Sequence, residues 1–289
     1  MKRSDILAQF AAAREGGYAL GSFSPRNTVL IPAIIRAAEK QHSPVMVQMS
    51  SNEMRWFDVE PRVFADAFRR EAASANVPVI LHLDHTYDFE VIRKAVEAGF
   101  DSVMIDGSKL SFEENVALTR QVVEFAHGYD VAVEAELGNI GGADKLETGG
   151  DEELYTVPAQ AKEFVERTGC DTLAISVGTA HGVYPTTNPR IDFDRLAEIR
   201  SLIDTPLVLH GGSGLPMETV QKAIRGGIGK LNIATDLELI FQRVMNVSRM
   251  PNAEVEKLDP ALLARAVDEV SAFVEGRLQN YLLSTGKAQ

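Results

Sequence analysis

One cysteine among 289 residues, Cys170, excludes an internal disulfide. Basic residues are the minority: 29 lysines and arginines face 41 aspartates and glutamates, and the net charge of −12 leaves no basic face for nucleic acid. An anionic small molecule is still admitted, because a few N–H groups and one or two cations bind a phosphate locally against an unfavourable field. No run of about 18 apolar residues occurs, which argues against a membrane-spanning helix. The opening MKRSDILAQF carries Lys2 and Arg3 without the apolar stretch of a signal peptide. Linker-like segments rich in proline, glycine and serine are missing too. These absences predict a soluble, cytoplasmic protein that forms one domain over residues 1–289 and has neither a nucleic-acid nor a membrane partner.

What is present is alternation. Short runs of valine, isoleucine and leucine at 19–23, 45–48, 79–83, 102–105, 132–135, 172–176, 207–209 and 230–233 are separated by amphipathic stretches at 28–41, 61–75, 89–98, 112–127, 158–168, 193–202 and 217–226. Pro61 and Pro158 stand at first helical turns, and Gly99 and Gly169 just past last ones. Eight apolar strands buried on both faces and joined by helices predict an α/β fold, a (β/α)8 TIM barrel with a C-terminal helical extension. A doubly wound open sheet is the structural alternative.

The chemistry-bearing residues gather where those strands end. His85, His181 and His210 close the segments LHLDH, SVGTAHG and LVLHGGSG. Three convergent imidazoles suit a metal ion, Asp84 places an acid beside the first, and the glycines after the other two let a phosphate approach the backbone. Asp106, Ser108, Glu134, Glu136 and Asn232 also fall at strand ends, the face on which barrel enzymes act. Gly211-Gly212-Ser213 and Asn232 to Thr235 each follow a late strand and precede a helical start, the usual place for an anion pocket. The expectation is metal-assisted chemistry on a phosphorylated small molecule.

Six motifs in order, HLDH at 82–85, MIDGS at 104–108, EAELGNIGG at 134–142, GTAHGVY at 178–184, LHGGSG at 209–214 and LNIATDLE at 231–238, resemble the class II, metal-dependent ketose-bisphosphate aldolases, and in particular the tagatose-bisphosphate branch. The resemblance spans nearly the whole chain. It implies Zn2+ on His85, His181 and His210, with a monovalent cation as an optional second ion, and Asp84 as the general acid/base. It implies that Glu136 approaches the metal when substrate is absent, and that Gly182, Gly211, Gly212, Ser213, Asn232, Thr235 and Asp236 bind the dihydroxyacetone phosphate half. A loop at 137–155 is implied to close over the substrate with a carboxylate that moves the proton at C3. Asp144 stands where tagatose-type enzymes carry glutamate, and Glu147, Asp151 or Glu152 are its alternatives. Ser50 is implied at a distal phosphate, and Arg277 resembles an arginine that reaches the substrate of a neighbouring subunit, in a homodimer or homotetramer.

Other positions depart from the family pattern. Phe23-Ser24 replaces Phe-Asn, and Met49-Ser50-Ser51-Asn52 replaces a segment like Ala-Ser-x-Gly, so Met49 and Asn52 are expected to fill the aldehyde side of the mouth, with Arg26 and Arg55 adding charge there. The implied reaction is reversible cleavage of a ketose 1,6-bisphosphate of fructose or tagatose type to dihydroxyacetone phosphate and an aldehyde. A different aldehyde partner and a non-catalytic phosphosugar-binding subunit stand as alternatives. No lysine at a strand end suggests a Schiff base, since Lys230 begins the last strand before the phosphate loop. A metal-dependent hydrolase would need an HxH pair where Ser22-Phe23-Ser24 stands.

Overall fold

The computed structural model of the chain describes residues 1–140, 154–182, 184, 186 and 189–288. Its centre is a closed parallel barrel in sequence order: β1 (Leu20–Phe23), β2 (Val45–Ser50), β3 (Val79–Thr86), β4 (Ser102–Ile105), β5 (Ala132–Leu137), β6 (Thr172–Ile175), β7 (Leu207–Leu209) and β8 (Ile228–Ile233). The barrel shuts where β1 pairs with β8, Leu20 opposite Lys230 and Ser22 opposite Asn232. All eight expected strands form; β2, β3 and β5 run two or three residues further toward the end that carries the polar residues.

Helices α1 (Arg3–Gly16), α2 (Ile31–Gln41), α3 (Ser51–Phe57), α4 (Pro61–Ala72), α5 (Phe89–Ala98), α6 (Phe112–His127), α7 (Pro158–Thr168), α8 (Phe193–Leu202), α9 (Met217–Arg225), α10 (Thr235–Met245), α11 (Asn252–Val255) and α12 (Pro260–Gly276) are the others formed by the described residues, and a π turn at Arg277–Tyr281 follows α12. Apart from α10, α11 and α12, which make up the expected C-terminal extension, two of these have no counterpart among the expected helices. The first, α1, packs Ile6, Phe10 and Ala13 against Leu20, Met46, Ile80 and Ala132 and so plugs one end of the barrel. The second, α3, is announced by a capping box that the sequence does contain, Ser50 and Glu53, each side chain bonding the other's backbone N–H.

Strand alternation sorts the side chains. Val47 and Met49 on β2, Leu81 and Leu83 on β3, Val133, Ala135 and Leu137 on β5, and Leu231 and Ile233 on β8 enter the large apolar core shared with the helices. The intervening residues turn the other way. Met49 is therefore not a mouth residue as the sequence suggested. It is fully buried in the core, and its neighbours Gln48 and Ser50 line the cavity instead.

The core is close-packed. Phe164 of α7 is fully buried and meets Phe112 edge-on, ring centroids 6.2 Å apart. Truncation there leaves a hole that the surrounding helices cannot collapse into, so Phe164→Ala is expected to cost about 3–5 kcal/mol of stability, read from the shift in chemical denaturation midpoint.

Candidate active site

A cavity of about 900 Å³ opens at the ends of the strands, lined by residues from β2, β3, β5 and β8 and from the loops after all eight strands. Asp84 and His85 both reach it although they are neighbours on one strand. The pairing of β3 with β4 explains how: Leu83 faces Val103 and Thr86 faces Ile105, so β3 holds one extra residue. Such a bulge re-aims side chains that simple alternation would send to opposite faces. Asp84 turns toward β2 and β8, accepting from Gln48 Nε2 at 2.9 Å and Asn232 Nδ2 at 3.0 Å. His85 turns toward Asp106, with Nδ1 to Oδ2 at 3.0 Å.

His85, His181 and His210 each offer a ring nitrogen, and the three lie within 4.8 Å of one another. His210 Nδ1 and His85 Nε2 stand 2.7 Å apart. The outer nitrogen of His210 meets Glu134 Oε1 at 2.9 Å, while His85 has Asp106 behind it. A carboxylate behind a ligating imidazole fixes its tautomer and increases its basicity, so this pattern suits a metal centre. His181 comes into place from further off, six residues beyond β6. Tyr184 ties its loop down: the phenol accepts from Ala180 N at 3.0 Å and donates to Gly211 O at 2.8 Å. Gly211 allows this approach, since a Cβ there would stand 2.3 Å from Ala180 O and its φ is +71°.

Electrostatics separate the three imidazoles. Burial, reinforced by the charge of His85, lowers His181 to about 3. Burial likewise drives His210 well below its usual value, with His85 and Lys230 adding to the effect. Burial opposes a proton on His85 too, but Asp84, Asp106 and Glu136 outweigh it and raise that imidazole to about 10. The position therefore favours positive charge, and a divalent ion would supply it. Burial and the nearby Asp106 push Glu136 up to about 8, and its Oε2 has no hydrogen-bond partner among the described residues. His85, Asp106 and Glu136 form a second group able to hold a metal ion.

Comparison with known proteins places the chain in a family. Residues 4–287 match the family described as fructose-bisphosphate aldolase class-II. The chain belongs to that family. It is accordingly an aldolase, a carbon–carbon lyase, with the phosphosugar substrate and metal dependence that class II membership carries. It is similar to the YdjI aldolase from Escherichia coli K12, with 33% identity, 98% of both chains covered and a TM-score of 0.84. A putative fructose-1,6-bisphosphate aldolase from Coccidioides immitis is 32% identical over 97% of this chain and 96% of that one, with a TM-score of 0.83. Fructose-bisphosphate aldolase from Campylobacter jejuni, at 24% identity over 99% of this chain and 96% of that one, shares the fold with a TM-score of 0.81.

Of the residues that the sequence singled out, Ser50, Asp84, His85, Glu136, His181, Gly182, Gly211, Gly212, Ser213, Asn232 and Thr235 all line the aldolase cavity. Ser213 Oγ accepts from Ala234 N and Asp236 N, both at 3.3 Å, and so joins the β7 loop to the first turn of α10. Asp236 and Arg277 are not among the lining residues. They pair with each other at 3.3 Å, and the guanidinium lies 3.7 Å from the Tyr281 ring centre. Arg55 is exposed and bonds Asn52. Asp144, with Glu147, Asp151 and Glu152, lies outside the described residues.

Sequence reading gave no site role to Gln48, Glu53, Trp56, Glu238 and Arg249, all of which line the cavity. It also missed the place of Lys230 beneath the cavity. Lys230 is fully buried within β8, not at its start, and its Nζ meets Glu134 Oε2 at 2.7 Å. Alternation from Asn232 inward along β8 and from Glu136 along β5 was the available signal.

Glu134→Gln is expected to weaken divalent-metal binding roughly 10- to 100-fold, measured by chelator competition, because the imidazole behind which it stands loses its carboxylate. In metal-free protein, Glu136 holds a proton in the folded state between its ordinary 4.5 and about 8, and His85 between 6.5 and about 10. Both contributions make stability fall as pH rises from 6.5 to 8, whereas the lowered His181, which favours folding as pH climbs from about 3 to 6.5, no longer changes there. Thermal melts across that window should show the decline, and Glu136→Gln should flatten it.

Proposed function

We propose that the chain catalyses zinc-dependent, reversible cleavage of a ketose 1-phosphate between C3 and C4, giving dihydroxyacetone phosphate and an aldehyde. Fructose and tagatose 1,6-bisphosphates, which the family resemblance implies, are its reference substrates. The observation that carries this reading is the placement of Asp84: an acid at the cavity wall, next in sequence to His85 and joined through Asn232 to the β8 loop beside the glycine turn.

When bound by His85, His181 and His210, a zinc ion would supply Lewis-acid stabilisation for charge developing on the substrate carbonyl. The remaining steps belong to the chain's own groups. Gly211, Gly212, Ser213 and the N-terminal turn of α10 present backbone and hydroxyl groups to the 1-phosphate. Asp84 takes the proton of the C4 hydroxyl as the C3–C4 bond breaks and the aldehyde leaves, and returns it in the condensation direction. Burial raises its carboxyl above the ordinary carboxylate value, which strengthens it as a base, while Gln48 and Asn232 fix both oxygens. A carboxylate then delivers a proton to C3, a role proposed for Asp144. Glu136 stands beside His85 and Asp106 and is placed to accompany the metal before substrate enters.

No Schiff base is required, and Lys230 is unsuited to one. Its amine is held by Glu134 below the cavity, outside the lining residues.

A coupled assay for dihydroxyacetone phosphate tests the reading with fructose and tagatose bisphosphates and with their 6-dephosphorylated forms. Release should need Zn2+, stop on chelation, and fall on the order of 10²- to 10⁴-fold in Asp84→Ala while zinc content is retained. Undiminished turnover in Asp84→Ala would overturn it.

A further inference from the structure

The cavity wall made by the loops after β1 and β2 and by α10 with the residues that follow it contains four charges that cancel among themselves. Arg26 is buried at φ +58°, a backbone conformation rare for a residue with a side chain. Its Nε lies 2.9 Å from Glu53 Oε1, and its other arm contacts Glu238. Glu53 is saturated, its second oxygen accepting from Ser24 Oγ and Ser50 N, both at 2.9 Å. Glu238 also takes Arg249 Nε at 2.5 Å and Gln242 Nε2 at 3.0 Å. Arg249 in turn lies over the half-exposed Trp56 ring, 4.6 Å from its centre. All six of these cavity residues, Arg26, Glu53, Trp56, Glu238, Gln242 and Arg249, line the side next to which Gln48 holds Asp84.

A phosphate dianion entering this side would find both arginines of the wall already paired, and Arg277, the arginine implied to reach a neighbouring subunit's substrate, is itself held by Asp236 and the Tyr281 ring. It would have to break an ion pair, leaving a buried carboxylate uncompensated, or be desolvated beside two glutamates. A hydroxylated chain meets no such penalty, since Gln48, Asn52, Gln242 and Ser248 offer neutral donors and acceptors and Trp56 offers an aromatic face. The other lining cation among the described residues, Lys109, stands across the barrel after β4, over the Tyr87 ring at 5.3 Å. We infer that the aldehyde subsite is built for an uncharged polyhydroxy aldehyde, so that the ketose carries a phosphate at C1 and none at the far end, with the Arg26, Glu53, Glu238 and Arg249 network setting that selectivity.

This inference rests on the proposed cleavage to dihydroxyacetone phosphate, and the test separates the two. Zinc-loaded enzyme is given dihydroxyacetone phosphate with D- and L-glyceraldehyde, erythrose and threose, and with glyceraldehyde 3-phosphate and erythrose 4-phosphate. Exchange of the C3 proton of dihydroxyacetone phosphate with deuterated water is followed without aldehyde. The expected result is kcat/KM for an uncharged aldehyde at least about tenfold above that of its own phosphorylated form. Glu238→Gln, which frees an arginine, should move that ratio toward the phosphorylated aldehyde by on the order of tenfold. Trp56→Ala, at an exposed position, should raise KM for the uncharged aldehyde several-fold with kcat little changed. Preference for a phosphorylated aldehyde, or no use of any uncharged one, with proton exchange intact would overturn the inference alone. Loss of proton exchange as well would overturn the cleavage reading with it.

Discussion

Lys230 and Glu134 face each other inside the barrel with essentially no access to water, and the reactive end of the molecule stands on that pair. Glu134 is shared: one oxygen takes the lysine, the other takes His210. Removing either partner would leave a buried charge with no counterpart, a cost of several kcal/mol, whereas the intact pair fixes the outer nitrogen of His210 and turns the inner one toward His85. His82 lies against the same group, 3.3 Å from the amine, and burial beside that cation keeps it from taking a proton. A barrel filled only with aliphatic side chains would pack as well but would orient nothing above it.

Above the pair, the cavity divides by charge. Around His85 the acids Asp84, Asp106 and Glu136 favour positive charge, the sign a metal ion carries. On the β1 and β2 side the charges balance, two arginines against two glutamates, and nothing further is demanded. On the β7 and β8 side stand the glycine turn and the backbone N–H groups of the first turn of α10, whose own acids Asp236 and Glu238 are paired with arginines. A metal, an uncharged chain and a phosphate are three ligands with three different electrostatic requirements, and under the proposed function each would meet a different part of the cavity. Family membership fixes the aldol chemistry.

Much of this was legible beforehand because it depends on short-range pattern. Apolar runs and their spacing specify the eight strands, and a polar residue at a strand end must emerge at one face of a closed barrel whatever the detail. The three histidines, Asp84 and the two glycine-containing turns are of that kind. Met49 differs for an instructive reason: the family pattern puts it after a strand, but β2 continues through Ser50, so alternation sends Met49 outward and Gln48 in. Lys230 resembles a strand start although β8 begins two residues earlier, at Ile228, because a lysine within a strand is indistinguishable by composition from one at its edge.

Local pattern along the chain specifies the element order, the reactive face and the residue types offered to a metal and a phosphate, since each is encoded within a few neighbouring residues. Which charges meet is set by the folded barrel. Arg26 and Glu53 come from the first part of the chain and Glu238 and Arg249 from the last, and closure of β1 onto β8 brings them to one wall. The bulge in β3 that aims Asp84 and His85 into one cavity, and the tie from Tyr184 that carries His181 to His210, are likewise set by pairing with other strands and loops. Periodicity along a chain cannot report such contacts, because hydrogen bonds and ion pairs depend on distances that exist only once the barrel has closed.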